Sequence, residues 1–90
     1  HPKAYVIDFS AVPVLDSTAA VTLEGFVTKA ARHGAAVYIA GARPPIRRVL
    51  LTHGVRPPRV RFRSRLADAV TAAHARVTAM GAPAVQSVAT

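Results

Sequence analysis

Ninety residues, 51% of them apolar, suffice for one small domain with a core of its own. No apolar run approaches the ~20 residues that cross a bilayer, and with no cysteine the chain has neither a disulfide framework nor thiolate chemistry. A net charge of +8, from twelve Lys and Arg against four acids, points to an anionic neighbour (lipid headgroups, nucleic acid or an acidic protein surface) or to a solvated arginine-rich face.

His1-Pro2-Lys3-Ala4 lacks the pattern of a signal peptide and runs straight into Tyr5–Phe9, a short apolar run read as a buried strand. Val12-Pro13-Val14-Leu15 carries the chain over the sheet edge to Asp16. From Ser17 to His33, Ala20, Leu23, Val27, Ala30 and Ala31 recur at helical spacing, with Asp16 or Ser17 as N-cap and Gly34 as the glycine stop. Ala36–Ala40 is a second buried strand. Pro44-Pro45 launches a short helix through Ile46, Val49 and Leu50 to His53, and Gly54 ends it. Val60-Arg61-Phe62 reads as a brief third strand. Ser64 then caps a last helix striped by Leu66, Ala69, Val70, Ala73, Val77 and Met80.

The order β-α-β-α-β-α predicts an α/β fold, a sheet of mostly parallel strands with helices packed on it. Its expected core holds Leu23, Val27, Val37, Ile39, Val49, Leu50, Leu66, Val70 and Val77. Residues 1–80 form the domain and 81–90 a flexible tail. Tyr5–Phe9, opening the chain, is expected at a sheet edge that needs an added strand from upstream or from another chain.

Chemistry is sparse. The Gly-x-Gly-x-x-Gly of a dinucleotide fold is missing where Asp8-Phe9-Ser10-Ala11 stands, and there is no Walker loop. Neither paired carboxylates nor a Ser-His-Asp order suggests hydrolysis. His33 and His53 each precede a glycine stop and read as helix-end caps, while His1 and His74 have no partners for a site. With four scattered acids no metal site and no cofactor is expected. Asp8 ends a strand and is read as bonding loop N–H groups.

The distinctive stretch is Asp16-Ser17-Thr18. It delivers hydroxyls and free N–H groups to the positive end of a helix dipole, where phosphate or another anion is favoured. Ser17 and Thr18 are the candidates for phosphorylation or anion docking, beside the simpler role of N-capping. Asp16, Ala20 and Glu24 are the candidates for a partner interface. Ten of the twelve cations are arginines, eight of them between Arg43 and Arg65. Of these Arg43, Arg47, Arg48, Arg56 and Arg59 are the candidates for facing a membrane or an anion.

Four segments in order resemble the STAS domain of anti-sigma factor antagonists and SulP-type anion transporters, over about residues 4–80. They are Ile7-Asp8-Phe9-Ser10, Leu15-Asp16-Ser17-Thr18, Tyr38-Ile39-Ala40-Gly41 with Arg43-Pro44, and Arg47-Arg48-Val49-Leu50 leading to Gly54. The last two look more like the transporter branch. The resemblance implies one or two further strands and a helix upstream of Tyr5, so residues 1–80 are expected to be an N-terminally incomplete domain. It also implies a non-catalytic regulatory domain on the cytoplasmic face of a bacterial inner membrane. Its partners would be the transmembrane part of its own transporter, a protein regulator and anionic lipid, with nucleic acid disfavoured. The alternative is a free-standing antagonist switched by phosphorylation at Ser17, although Ala19 stands where antagonists carry glycine. A small α/β enzyme or nucleotide-binding fragment is a third reading, supported by fold class alone.

Overall fold

The computed structural model describes residues 4–79 and, for the main chain alone, 85–89. In chain order these form β1 (Ala4–Asp8), α1 (Ser17–Arg32), β2 (Ala36–Ala40), α2 (Pro44–Thr52), β3 (Val60–Arg63), α3 (Leu66–Ala79) and β4 (Val85–Ala89). All the pairings are parallel, in the order β3-β2-β1-β4. The α/β arrangement expected from the sequence is the one observed.

Strand alternation divides the core between the two faces of the sheet. Ile7, Val37, Ile39 and Val60 point to one face, where Val27 of α1 and Ile46 and Leu50 of α2 cover them. Ala4, Val6, Tyr38 and Ala40 point to the other, against Ala69, Ala73 and Val77 of α3. The second layer is built of small residues. Alanine at 69 and 73 brings α3 close to the strands, and the buried Tyr38 supplies the bulk between them. The chain therefore steps outward from β1 to β3 under α1 and α2, then returns beneath the opposite face through α3 to lay β4 beside β1.

Both crossover helices on the first face end in the same way. His33 and His53 close α1 and α2, and Gly34 (φ +72°) and Gly54 (φ +87°) follow in the left-handed conformation. Gly34 N donates to Ala31 O at 3.0 Å and Ala35 N to Ala30 O at 2.9 Å; Gly54 N donates to Leu51 O at 3.2 Å and Val55 N to Leu50 O at 2.9 Å. These are paired Schellman closures, and the accompanying apolar contacts, Ala30 with Ala35 and Leu50 with Val55, lie in the core. The histidines act as read from the sequence: each Nδ1 donates to the carbonyl four residues back, Lys29 or Val49, at 2.9 Å.

Several expectations need correction. Tyr5–Phe9 is no edge strand: β1 is interior, with β2 on one side and β4 on the other. Residues 85–89, expected within a flexible tail, supply that second neighbour. Val85-Gln-Ser-Val-Ala has little intrinsic strand signal, and its order comes from the open side of β1, which no local pattern reveals. Leu66 opens α3 and is 40% exposed, so it is no core residue. Leu23, Val49 and Val70 are half-buried, and Ala31 is exposed. Helix α3 starts beyond Ser64, with Arg65 O accepting from Ala69 N at 3.2 Å. Met80, assigned to the same stripe, lies outside the described residues.

The outer side of β3 is blunted. Gly41 N donates to Arg63 O, so Arg63 turns its main chain toward β2, and alternation turns Val60 and Phe62 outward. There Phe62 O accepts from Nη1 of Arg63 at 2.9 Å, and Val60 N reaches Arg56 O at 3.4 Å. A short strand with two of its outward groups engaged is a poorer template for strand addition.

Candidate docking face and basic surface

Three loops meet at the carboxyl edge of the sheet, and the β1–α1 loop is tied down at several points. Asp8 Oδ1 accepts from Ser10 Oγ at 2.6 Å and from Ser10 N at 2.9 Å. The hydroxyl first, and then the amide, hold its carboxyl below the usual aspartate range. The loop-bonding role read for Asp8 is thus the observed one. Phe9 N donates to Ala40 O at 2.8 Å, Val12 N to Phe9 O at 3.0 Å, and Arg43 Nη2 to Val12 O at 2.8 Å. Arg43, expected to face an anion, is exposed but spends part of its fork on bracing this loop.

The loop delivers Asp16 in an extended conformation (φ −88°, ψ 168°), with Oδ1 accepting from Ala19 N at 2.8 Å. Asp16, not Ser17, is therefore the N-cap. Ser17 and Thr18 are exposed in the first turn, and neither hydroxyl has a partner among the described residues. Asp16→Ala should cost about 1 kcal/mol of stability. Ser17→Ala should leave a chemical-denaturation midpoint nearly unchanged. Equal losses for the two variants would return the capping role to Ser17.

The other proposed interface residues separate. Ala20 is fully buried and cannot meet a partner, because the stripe that points α1 at the sheet passes through it. Glu24 is half-buried and engaged: Oε2 accepts from Thr28 Oγ1 at 2.7 Å and from Arg59 Nη1 at 3.0 Å. Thr28 foremost, with Arg59, lowers its pKa. Beside the junction lies a hollow that sequence reasoning missed, about 400 Å³ and walled by Phe9, Val12, Leu15, Ala19, Leu23 and Phe26. Tyr5 steadies Phe26 edge-to-face at 4.9 Å. Val14 in the same loop is 78% exposed, and Val21 on α1 is 58% exposed. The sequence signal was available in Val12-Pro13-Val14-Leu15, an apolar run too short and too interrupted to be a strand.

The arginines also divide. Arg59 is bound to Glu24 and to Thr28 Oγ1 (2.8 Å), a bridge from the β3 side to α1, and its side chain stays partly exposed. Arg65 meets Asp68 at 3.2 Å. Arg48 and Arg56 are exposed, and their side chains make no hydrogen bond or ion pair among the described residues. The guanidinium of Arg47 lies 4.4 Å from the ring centroid of Phe62. Arg61 and Arg63, not singled out from the sequence, join Arg47 in lining a hollow of about 350 Å³ along β3. Strand alternation could have suggested them, since it turns both away from the α2 face.

Among the described residues no three His, Asp or Glu side chains gather as a metal site, and no helix is long and apolar enough to cross a membrane. The described residues form a small parallel α/β fold with a braced loop, an exposed hydroxyl pair at a helix start and a basic flank. Residues 1–69 match the STAS domain, and the chain belongs to that family. No curated protein matches it.

Proposed function

We propose that this chain is the cytoplasmic regulatory and interaction domain of a SulP-type transporter of sulfate or another inorganic anion, and that it is non-catalytic. The observation carrying the module reading is the β1–α1 junction. Asp16 takes the capping duty, which leaves the Ser17 and Thr18 hydroxyls exposed at the positive end of α1. The transporter branch is favoured by Tyr38-Ile39-Ala40-Gly41 with Arg43-Pro44, and by the Arg47-Arg48-Val49-Leu50 helix start. On this reading the junction meets the transporter's membrane part or a protein regulator, and the free arginines lie toward anionic lipid.

The test begins with the reading frame that encodes the chain. A series of apolar spans of about 20 residues in the same frame supports the transporter. Anion uptake by the parent protein carrying Ser17→Asp should then change while the domain's melt does not, through charge added at the junction. Unchanged uptake would remove the regulatory role of this face.

Vesicle binding gives a second expected result. The chain should partition onto anionic vesicles more than onto neutral ones, less so as salt rises, because arginines near a membrane surface each contribute ~1 kcal/mol. Arg48→Ala and Arg56→Ala should each weaken that partition. Equal binding to both vesicle types would dispose of the membrane-facing orientation, and equally strong salt-sensitive DNA binding would reduce it to general charge.

A second reading, a free-standing antagonist switched at Ser17, is favoured by the same unpartnered hydroxyl. Phosphate there adds about −1.5 to −2 charges at a helix start. A reading frame without membrane spans, together with phosphorylation of Ser17 by a co-purifying kinase, would select it.

A further inference from the structure

We propose that Arg47, Arg61 and Arg63 form a binding site for a compact divalent oxyanion, a phosphate or phosphomonoester, at the outer edge of β3. The inference does not depend on the transporter reading. It uses a different part of the surface from the β1–α1 junction.

Three arginines line one hollow of about 350 Å³, and no acidic residue joins them. The chain has four acids, Asp8, Asp16, Glu24 and Asp68. Asp8 bonds Ser10, Asp16 caps α1, Glu24 bonds Thr28 and Arg59, and Asp68 meets Arg65. None of the four lines the hollow. Like charges gathered without a counter-ion repel, and an anion that enters among them is correspondingly favoured.

Two of the three arginines, Arg47 and Arg63, lie against rings. Arg47 stacks on Phe62 at 4.4 Å, and Arg63 lies over Tyr38 at 5.8 Å while giving one Nη1 hydrogen to Phe62 O. A ring covers the face of a guanidinium and leaves the donors at its rim available, the geometry that suits tetrahedral oxyanions. Tyr38 is itself buried in the α3 layer, so one of these platforms is fixed by the core. Side chains already positioned lose less entropy when a ligand arrives. Strand alternation sets Arg61 and Arg63 on one face of the sheet and Phe62, with Arg47 stacked on it, on the other. The three arginines thus approach the hollow from both faces of the sheet at the β3 edge, and Pro57 and Pro58 wall it.

The probes are inorganic phosphate and sulfate, titrated calorimetrically into the purified chain against chloride at matched ionic strength. The arginine Nε–H resonances are followed by NMR. Both divalent anions should bind and shift Arg47, Arg61 and Arg63 selectively. Arg63→Ala should weaken affinity roughly tenfold, as loss of a charge-assisted contact does. Phe62→Leu keeps every charge and an apolar side chain but removes the platform, and should weaken affinity roughly threefold. Arg56→Ala, which removes a charge elsewhere, should change it little. Thermal melts in chloride show that each variant is folded, with Arg61→Gln in reserve if Arg63→Ala is not.

A phospholipid source is separated from a free one with vesicles of phosphatidic acid and of phosphatidylglycerol at equal surface charge. Preference for phosphatidic acid, lost in Phe62→Leu and without measurable binding of the free anions, assigns the site to a headgroup. Binding of free phosphate or sulfate assigns it to a soluble ligand. Loss of affinity in Arg56→Ala equal to that in Arg63→Ala, or no effect of Phe62→Leu in either arm, would overturn the proposal in favour of diffuse charge attraction.

Discussion

Ile39→Asp should abolish the cooperative thermal transition of this domain. Ile39 is completely buried in the central layer, where β2 pairs it with Ile7 on one side and Phe62 on the other. A carboxylate there is surrounded by Val37, Leu50 and Val60, and has no hydrogen-bond donor to spare it. Burying a polar group without a partner costs several kcal/mol, and a charge more, against a total stability of ~5–15 kcal/mol. Circular dichroism on heating is the measurement. A variant that keeps its sigmoidal melt would place Ile39 outside the core. Ile39→Val, which trims one methylene, should cost only about 0.5–1.5 kcal/mol and serves as the reference.

Gly41→Ala should be the most damaging substitution among the loops. Gly41 has φ +67°, a conformation that costs an L-residue roughly 1–2 kcal/mol. A Cβ would also collide with Ser10, both at its Oγ and against its main-chain N and Cα at 3.1 Å. The hydroxyl could rotate, but the main chain of Ser10 is fixed by its bond to Asp8. The strain should therefore pass into the β1–α1 loop and disturb the presentation of Ser17, with a loss of stability above the backbone term alone. Urea denaturation reads the first effect. Exchange of the Ser10 amide with solvent, faster in the variant, reads the second. Gly25→Ala, where a Cβ meets open space on an α-helix, should by contrast be neutral or stabilising.

The crossover units were legible because their signals are local. His33-Gly34 and His53-Gly54 announce helix ends that the Schellman closures realise, and Pro44-Pro45 marks the start of α2 at the residue where it begins. Asp16 as N-cap was one of two readings, and extended backbone at that position decides between them. Other features depended on distance. Nothing in Val85–Ala89 says that β1 has an unfilled side, and nothing in Ala20 says that the stripe through it leaves no surface for a partner. Glu24 and Arg59 each look free in the sequence, yet pair across 35 positions. The Arg47 and Arg63 platforms were hidden for the same reason, since Phe62 and Tyr38 become their partners only after three elements have packed.

The placement of β4 has a mechanical meaning. The first and last strands lie side by side and run in the same direction. Tension applied at the two ends of the chain therefore pulls β1 and β4 past each other along their length. The rungs of a parallel ladder between them then carry the load together, in shear, instead of opening one at a time from an end. Resistance to such a pull is governed by the height of the unfolding barrier and not by equilibrium stability. A domain strapped in this way yields abruptly, and until it does it transmits force between whatever is joined to its two ends with little extension of its own.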